Sequence, residues 1–233
     1  MDSLGSGYRA AVIGATGGIG SAFVAALAAD PNCAAVTRLA RSSEPPLDLE
    51  DEASIRAAAE HLATAAGTLE LVIDATGALT IDGRGPEKSL RQIDPAVMQR
   101  AFAINATGPA LLFKHFAPLL PRRRRALFAT LSARVGSITD NRRGGWISYR
   151  ASKAALNQIV QTAAIEIAFR HPEAVCVGLQ PGTVRTRLSE PFARGTGILE
   201  PADAVARLLR VLDRLQPGDS GGLFDHAGER IPA

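Results

Sequence analysis

Tyr8-Arg9-Ala10-Ala11-Val12-Ile13-Gly14-Ala15-Thr16-Gly17-Gly18-Ile19-Gly20 is the stretch on which the fold reading turns. The largely apolar run from Tyr8 to Gly14 suits a parallel strand buried on both faces. Gly14, Gly17, Gly18 and Gly20 follow, with Thr16 and Ile19 among them, and a helix-forming segment runs from Ser21 to Ala29. Glycine there permits a tight turn and lets backbone N–H groups come close to a pyrophosphate. The helix N-terminus adds the positive end of its dipole. An ordinary strand–helix turn is the competing reading of any lone glycine motif. Here the motif opens a βαβ unit, which is the context that phosphate binding requires.

Outward from that stretch, strand-like runs at Ala34–Ala40, Leu69–Ala75, Ala126–Leu131, Ala174–Leu179 and Gly222–Phe224 alternate with helix-length segments, with a weaker strand near Leu47. Asp94-Pro95 places a capping acid before proline at a helix start, and Glu200-Pro201 resembles it. His171-Pro172 ends a helix running from about Ile147. Repeated strand–helix–strand order implies right-handed crossovers. The expected fold is a single-domain α/β Rossmann fold over residues 1–233. Its doubly wound parallel sheet of about seven strands would be flanked by helices on both faces. Gly195-Thr196-Gly197 is the expected flexible spot inside the domain.

Bulk properties narrow the function classes. Hydrophobic residues at 46% and charged residues at 21% describe an ordinary globular chain. The net charge of +3 is only mildly basic, and the run Arg122–Arg125 has no interleaved aromatics, so a solvated loop is preferred to a nucleic-acid patch. Cys33 and Cys176 lie in apolar, β-like surroundings and read as free thiols; no metal site is expected. With no signal-like N-terminus and no apolar stretch of spanning length, the chain reads as cytoplasmic, with no membrane partner.

The second strand ends at Arg41-Ser42-Ser43, where NAD-binding sites carry an acid for the ribose 2′-hydroxyl. Arg41 and Ser42 instead suit a 2′-phosphate, so NADP(H) is preferred over NAD(H), although a solvated arginine is common at a strand end. Asp48 could accept from the adenine amino group or serve as a loop or capping acid. Ala75, Thr76 and Gly77 end another strand with small residues that would let backbone pass close to a ribose.

Tyr149 and Lys153 stand at i and i+4 near the start of a long helix and so share one face. A phenol of ordinary pKa is a poor acid–base catalyst at neutral pH, and a neighbouring ammonium lowers that pKa. In isolation the pair would be a surface Tyr and Lys. It is joined by Ser132, at the end of the strand Ala126–Leu131, and by Asn105 in the preceding helix. Parallel-sheet enzymes place their chemistry at such strand ends.

Together with Pro181-Gly182-Thr183-Val184-Arg185-Thr186, this ordered set resembles the short-chain dehydrogenase/reductase superfamily over essentially the whole chain. The stretches Gly144–Asn157 and Gly222–Pro232 resemble its C-factor and sniffer-type carbonyl reductase branch. The resemblance implies that Tyr149 is the general acid or base, and that Lys153 lowers its pKa and holds the nicotinamide ribose. It further implies that Ser132 binds the substrate oxygen and that Asn105 anchors a relay water. Pro181, Gly182, Thr183, Val184 and Thr186 would lie along the nicotinamide, where a Pro-Gly turn with incidental hydroxyls is the bland alternative. A small-molecule carbonyl or alcohol would be the substrate. A nucleotide-binding signalling protein with little turnover is the alternative function that C-factor likeness implies. Two departures stand out: Asp74-Ala75-Thr76-Gly77 replaces the usual Asn-Asn-Ala-Gly, and the span from Ser132 to Tyr149 is long, carrying Arg134, Arg142 and Arg143. Substrate selectivity would fall to residues 187–199, where Arg187, Glu190 and Arg194 read as surface charges. Apolar residues on more than one face of Val97–Leu120 and Ile147–Phe169 point to a homodimer or homotetramer.

Overall fold

In the computed structural model, which describes residues 1–192 and 196–232, the run Tyr8–Ile13 forms β1 at the interior of a seven-stranded sheet. Arg194 and Gly195, singled out above, lie outside the described residues. After β1 come α1 (Gly18–Ala28), β2 (Cys33–Leu39), α2 (Glu52–Ala66) and β3 (Leu71–Asp74). The chain continues through α3 (Pro95–Phe102), a π-helical segment (Ala103–Thr107), α4 (Gly108–Phe116) and β4 (Ala126–Leu131). It closes with α5 (Ile147–Ala168), β5 (Ala174–Gln180), α6 (Pro201–Arg214), β6 (Leu223–Asp225) and β7 (Arg230–Ile231).

The sheet order is β2-β1-β3-β4-β5-β6-β7, parallel except for β7, which pairs antiparallel with β6. Alternate residues of β1 enter different cores. Ala11 and Ile13 pack with Ile55, Leu62, Leu112, Phe116, Leu156 and Val160 of α2, α4 and α5. Ala10 and Val12 pack with Phe23, Leu27, Val205, Leu208 and Leu212 of α1 and α6. Burial on both faces explains why the strand is so apolar. The chain steps from β1 to β2 on one side and resumes with β3 on the other. That switch leaves a crevice beyond the carboxyl ends of β1 and β3, where doubly wound sheets bind their ligands.

Two expectations require correction. No strand forms at Leu47: Pro45 and Pro46 carry no backbone N–H for a ladder, and Leu47 makes a single bond back to the Ala40 carbonyl at 2.9 Å. The seventh strand is instead the short β7, too brief to leave a period-2 pattern. Glu200 occupies the α6 N-cap position but its side chain makes no cap bond, because its carboxylate pairs with Arg185 Nε at 2.7 Å. Asp94 does cap α3, accepting from Ala96 N and Val97 N at 2.9 and 3.3 Å. The Val97–Leu120 segment is interrupted by the π-helical turn that carries Asn105, a device frequently found at functional sites.

Candidate active site

The glycine turn is set by close approach. Gly14 has φ +78°, and a side chain there would press on the Ala75 backbone at 3.0 Å. A Cβ on Gly20 would collide with the Gly14 carbonyl oxygen, so α1 can start against β1 only with glycine at that position. Thr186 reaches over from the segment after β5, its Cγ2 2.7 Å from where a Cβ of Gly18 would lie.

One cleft of about 450 Å³ runs from this turn to the end of β4. Thr16, Gly17, Gly18 and Ile19 line one end, Ala75, Thr76 and Gly77 the floor, and Ser132, Tyr149 and Lys153 the other end. Pro181, Thr186, Arg187 and Leu188 form the remaining wall. Gly182 and Val184 stand behind it: Gly182 packs against the His226 ring, and Val184 is buried and bridges to Leu199. Arg41 and Ser42 are exposed beyond β2 and do not line the cleft. Asp48 accepts from Glu50 N at 3.0 Å, which is loop-capping behaviour.

Buried Lys153 donates to the Leu131 carbonyl at 2.8 Å, and Ser132 Oγ donates to Asn157 Oδ1 at 2.6 Å. Gly77 lies under both Asn105 and Lys153, since a Cβ there would stand 3.4 Å from Asn105 Oδ1 and from Lys153 Nζ. Buried Asn105 is committed to the chain itself. It accepts from Ala78 N at 2.8 Å and donates to Ala78 O at 2.8 Å and Ser152 Oγ at 3.2 Å. These side-chain groups hold the β3–α3 connection, leaving a water relay no obvious side-chain anchor.

Burial pushes the Lys153 ammonium down to about 8, opposed by the negative charge of Asp74. Burial pushes the Tyr149 phenol up to about 12. Desolvation is the cause of the Tyr149 shift, while one N–H of Lys153 Nζ is donated to the Leu131 carbonyl. Of the departures noted in the sequence, Asp74 is buried and accepts from Thr76 N at 3.0 Å and Thr130 Oγ1 at 2.6 Å. Arg134 pairs with Asp140 and Asp225 at 3.4 and 3.3 Å. Arg142 bonds carbonyls of its own loop, and Arg143 is exposed.

Sequence reasoning passed over Glu87. It is buried, its carboxylate accepts from Ser148 N at 3.1 Å and from the Ser148 hydroxyl, and its carbonyl accepts from Trp146 N at 2.5 Å. It therefore supplies the N-terminal turn of α5 with the acceptors that Trp146 does not provide. Its only signal was an acid beside proline in a loop. Among the described residues there is no cluster able to hold a metal ion and no helix long and apolar enough to cross a membrane.

A dinucleotide-type crevice at a parallel-sheet switch point, leading to Ser132, Tyr149 and Lys153, defines an oxidoreductase of the doubly wound class. The short chain dehydrogenase family model matches residues 9–196, and the chain belongs to that family. It is 38% identical over 145 residues to C-signal of Myxococcus xanthus, covering 62% of this chain and 83% of that protein. It is 31% identical over 188 residues to 1-hydroxy-2-glutathionyl-2-methyl-3-butene dehydrogenase of Rhodococcus sp. (strain AD45), covering 79% of this chain and 76% of the relative. An NADPH-bound carbonyl reductase from chicken fatty liver superposes with a TM-score of 0.86 at 25% identity, covering 98% of this chain and 100% of the other.

Proposed function

We propose that this oxidoreductase transfers a hydride between NADP(H) and a small carbonyl or alcohol substrate. The observation that carries the reading is the single cleft joining the Gly14–Gly20 turn to Ser132, Tyr149 and Lys153. The glycine cradle fits a dinucleotide: Gly14 and Gly20 let the turn close tightly against β1 and β3, which leaves Thr16 to Ile19 lining the cleft at the start of α1. Thr16 to Ile19 would hold the phosphates, Ala75 to Gly77 the ribose, and Pro181 to Thr186 the nicotinamide side. Arg41 and Ser42, exposed beyond β2, supply a guanidinium and a hydroxyl of the kind that a 2′-phosphate would take. When bound, the nicotinamide supplies or accepts the hydride at its C4.

The chain's own residues handle the proton and the positioning. In reduction, the Tyr149 hydroxyl gives its proton to the carbonyl oxygen as the hydride reaches the carbon. In oxidation it takes the proton back. A phenol is already protonated at neutral pH, so burial, which pushes the Tyr149 pKa up in the cofactor-free chain, holds that proton more tightly and works against its release. Ser132 Oγ lines the cleft, and its one proton, donated to Asn157 Oδ1 at 2.6 Å, would turn to the substrate carbonyl oxygen on binding. Lys153 Nζ spends one proton on Leu131 O and keeps others for a ribose hydroxyl.

Titration with NADPH and NADH, followed by turnover on a panel of aldehydes and ketones, tests the reading. Tighter NADPH binding, with turnover lost in Tyr149→Phe, is the expected result; no binding of either nucleotide refutes it. The similarity to C-signal favours a second reading, nucleotide binding in a signalling role, in which Tyr149→Phe would spare the biological effect. The groove between α4 and α5, lined by Phe113, Ala117, Ile159, Ala163 and Ile167, supports a homodimer or homotetramer. Light scattering showing only monomer would exclude it.

A further inference from the structure

Trp146, the only tryptophan in the chain, is held in a conformation that a bulky residue rarely adopts. Its φ and ψ are 55° and 41°, and Gly144 and Gly145 before it have φ 63° and 66°. Left-handed backbone at a non-glycine residue persists only where its surroundings over-determine it, and such sites gather around function. The surroundings here are specific. Trp146 N donates to the carbonyl of buried Glu87, and the Glu87 carboxylate accepts from the next turn at Ser148. Arg150 Nε donates back to the Gly145 carbonyl at 2.9 Å.

Starting a helix does not require tryptophan at that position. Glu87 meets the needs of the helix terminus, and the Trp146 side chain makes no cap bond. What the turn does is present the indole beside Tyr149. The rings stand edge-on with centroids 6.2 Å apart, at an interplanar angle of 71°. Phe192 meets the indole edge-on at 5.6 Å and 68°, so the two rings stand just beyond the cleft, joined to it through Tyr149. Phe192 is carried by the same segment after β5 whose Arg187 and Leu188 line the cleft. Its ring lies over Gly85, where even a methyl group would stand 3.5 Å from Cζ. Both rings are only half-buried, so each keeps open surface.

We infer that Trp146 and Phe192 form an aromatic wall at the substrate end of the cleft, selecting carbonyl compounds that carry a flat aryl group on the carbonyl carbon. This rests on the reductase reading above. Aromatic rings favour offset-stacked or edge-to-face partners, a preference that a puckered saturated ring of similar size cannot meet.

Acetophenone and cyclohexyl methyl ketone have the same number of carbons but differ in flatness and in conjugation, so the change in the ratio of their kcat/KM values from wild type to variant, in which intrinsic carbonyl reactivity cancels, reports the wall. The wild-type acetophenone preference should exceed that of a variant without the wall by about tenfold, the upper end of what an aromatic pair contributes. Trp146→Leu and Phe192→Leu should each lower the acetophenone to cyclohexyl methyl ketone ratio, while Trp146→Phe should restore most of it. NADPH Kd and Tm report whether each variant is folded. A Trp146→Leu loss equal for both ketones, leaving the ratio unchanged, overturns the inference. Trp146 fluorescence supplies a readout independent of turnover. If propanal and both ketones give no NADPH oxidation, the reductase reading fails. Saturable quenching by acetophenone but not by cyclohexyl methyl ketone would still support the wall, and quenching by neither would remove it.

Discussion

Lys153→Met should make the cofactor-free protein more stable at neutral pH while removing its proposed chemistry. Burial lowers the Lys153 pKa from 10.5 to about 8, and each pKa unit is about 1.36 kcal/mol. The folded state therefore carries a penalty of about 3 kcal/mol at pH 7 for keeping this ammonium charged. Methionine removes the charge at similar length but leaves the Leu131 carbonyl without its 2.8 Å donor, which costs about 1–3 kcal/mol. The net gain expected is up to about 2 kcal/mol, or up to a few degrees in Tm for a chain of this size. The pH dependence is the sharper signature. Between pH 8 and 10.5 the unfolded chain holds the lysine proton and the folded chain has released it, so this group makes stability rise with pH. From pH 7 to 10 the rise is about 2–3 kcal/mol, roughly 1 M in urea midpoint. The thiol of Cys176 and the phenol of Tyr149, both pushed up to about 12, titrate in the opposite sense, but they do so in both proteins. Urea unfolding of wild type and Lys153→Met from pH 7 to pH 10 isolates the lysine. Equal pH slopes in the two proteins would refute the assignment of Lys153 as a buried, destabilising cation.

Gly20→Ala should abolish measurable NADPH binding and destabilise the fold, because the added methyl meets the Gly14 carbonyl; titration calorimetry and a melting curve check both. Arg41→Ala should weaken NADPH binding about tenfold and leave NADH affinity within about twofold, the loss of one charge-assisted phosphate contact; equal losses for both nucleotides would contradict a 2′-phosphate site. Asp94→Ala should cost about 1 kcal/mol in unfolding free energy by orphaning Ala96 N and Val97 N, with NADPH affinity unchanged. That variant also loses the ion pair with Arg84, but the pair is largely exposed and adds little.

The parts legible in the sequence were those whose physics is local. The β1 run, the glycine turn, the helix start at Asp94-Pro95 and the i, i+4 placement of Tyr149 and Lys153 each follow from backbone sterics and periodicity within a few residues. Sheet order was legible as a class, since repeated βαβ units admit few topologies. Other features depend on groups distant along the chain. The aim of Lys153 Nζ at Leu131, the commitment of Asn105 to Ala78 and the clasp of Glu87 on Ser148 join residues on separate elements. The failed strand at Leu47 and the short β7 mark the same boundary. A brief or proline-broken segment carries too little pattern, and its pairing is decided by which strand edge the finished sheet leaves open. From its own residues the chain determined a doubly wound dinucleotide fold with Ser132, Tyr149 and Lys153 in the right order. Only tertiary packing decided how buried those groups are and what they bond, because desolvation and hydrogen bonding arise when distant elements close over one another.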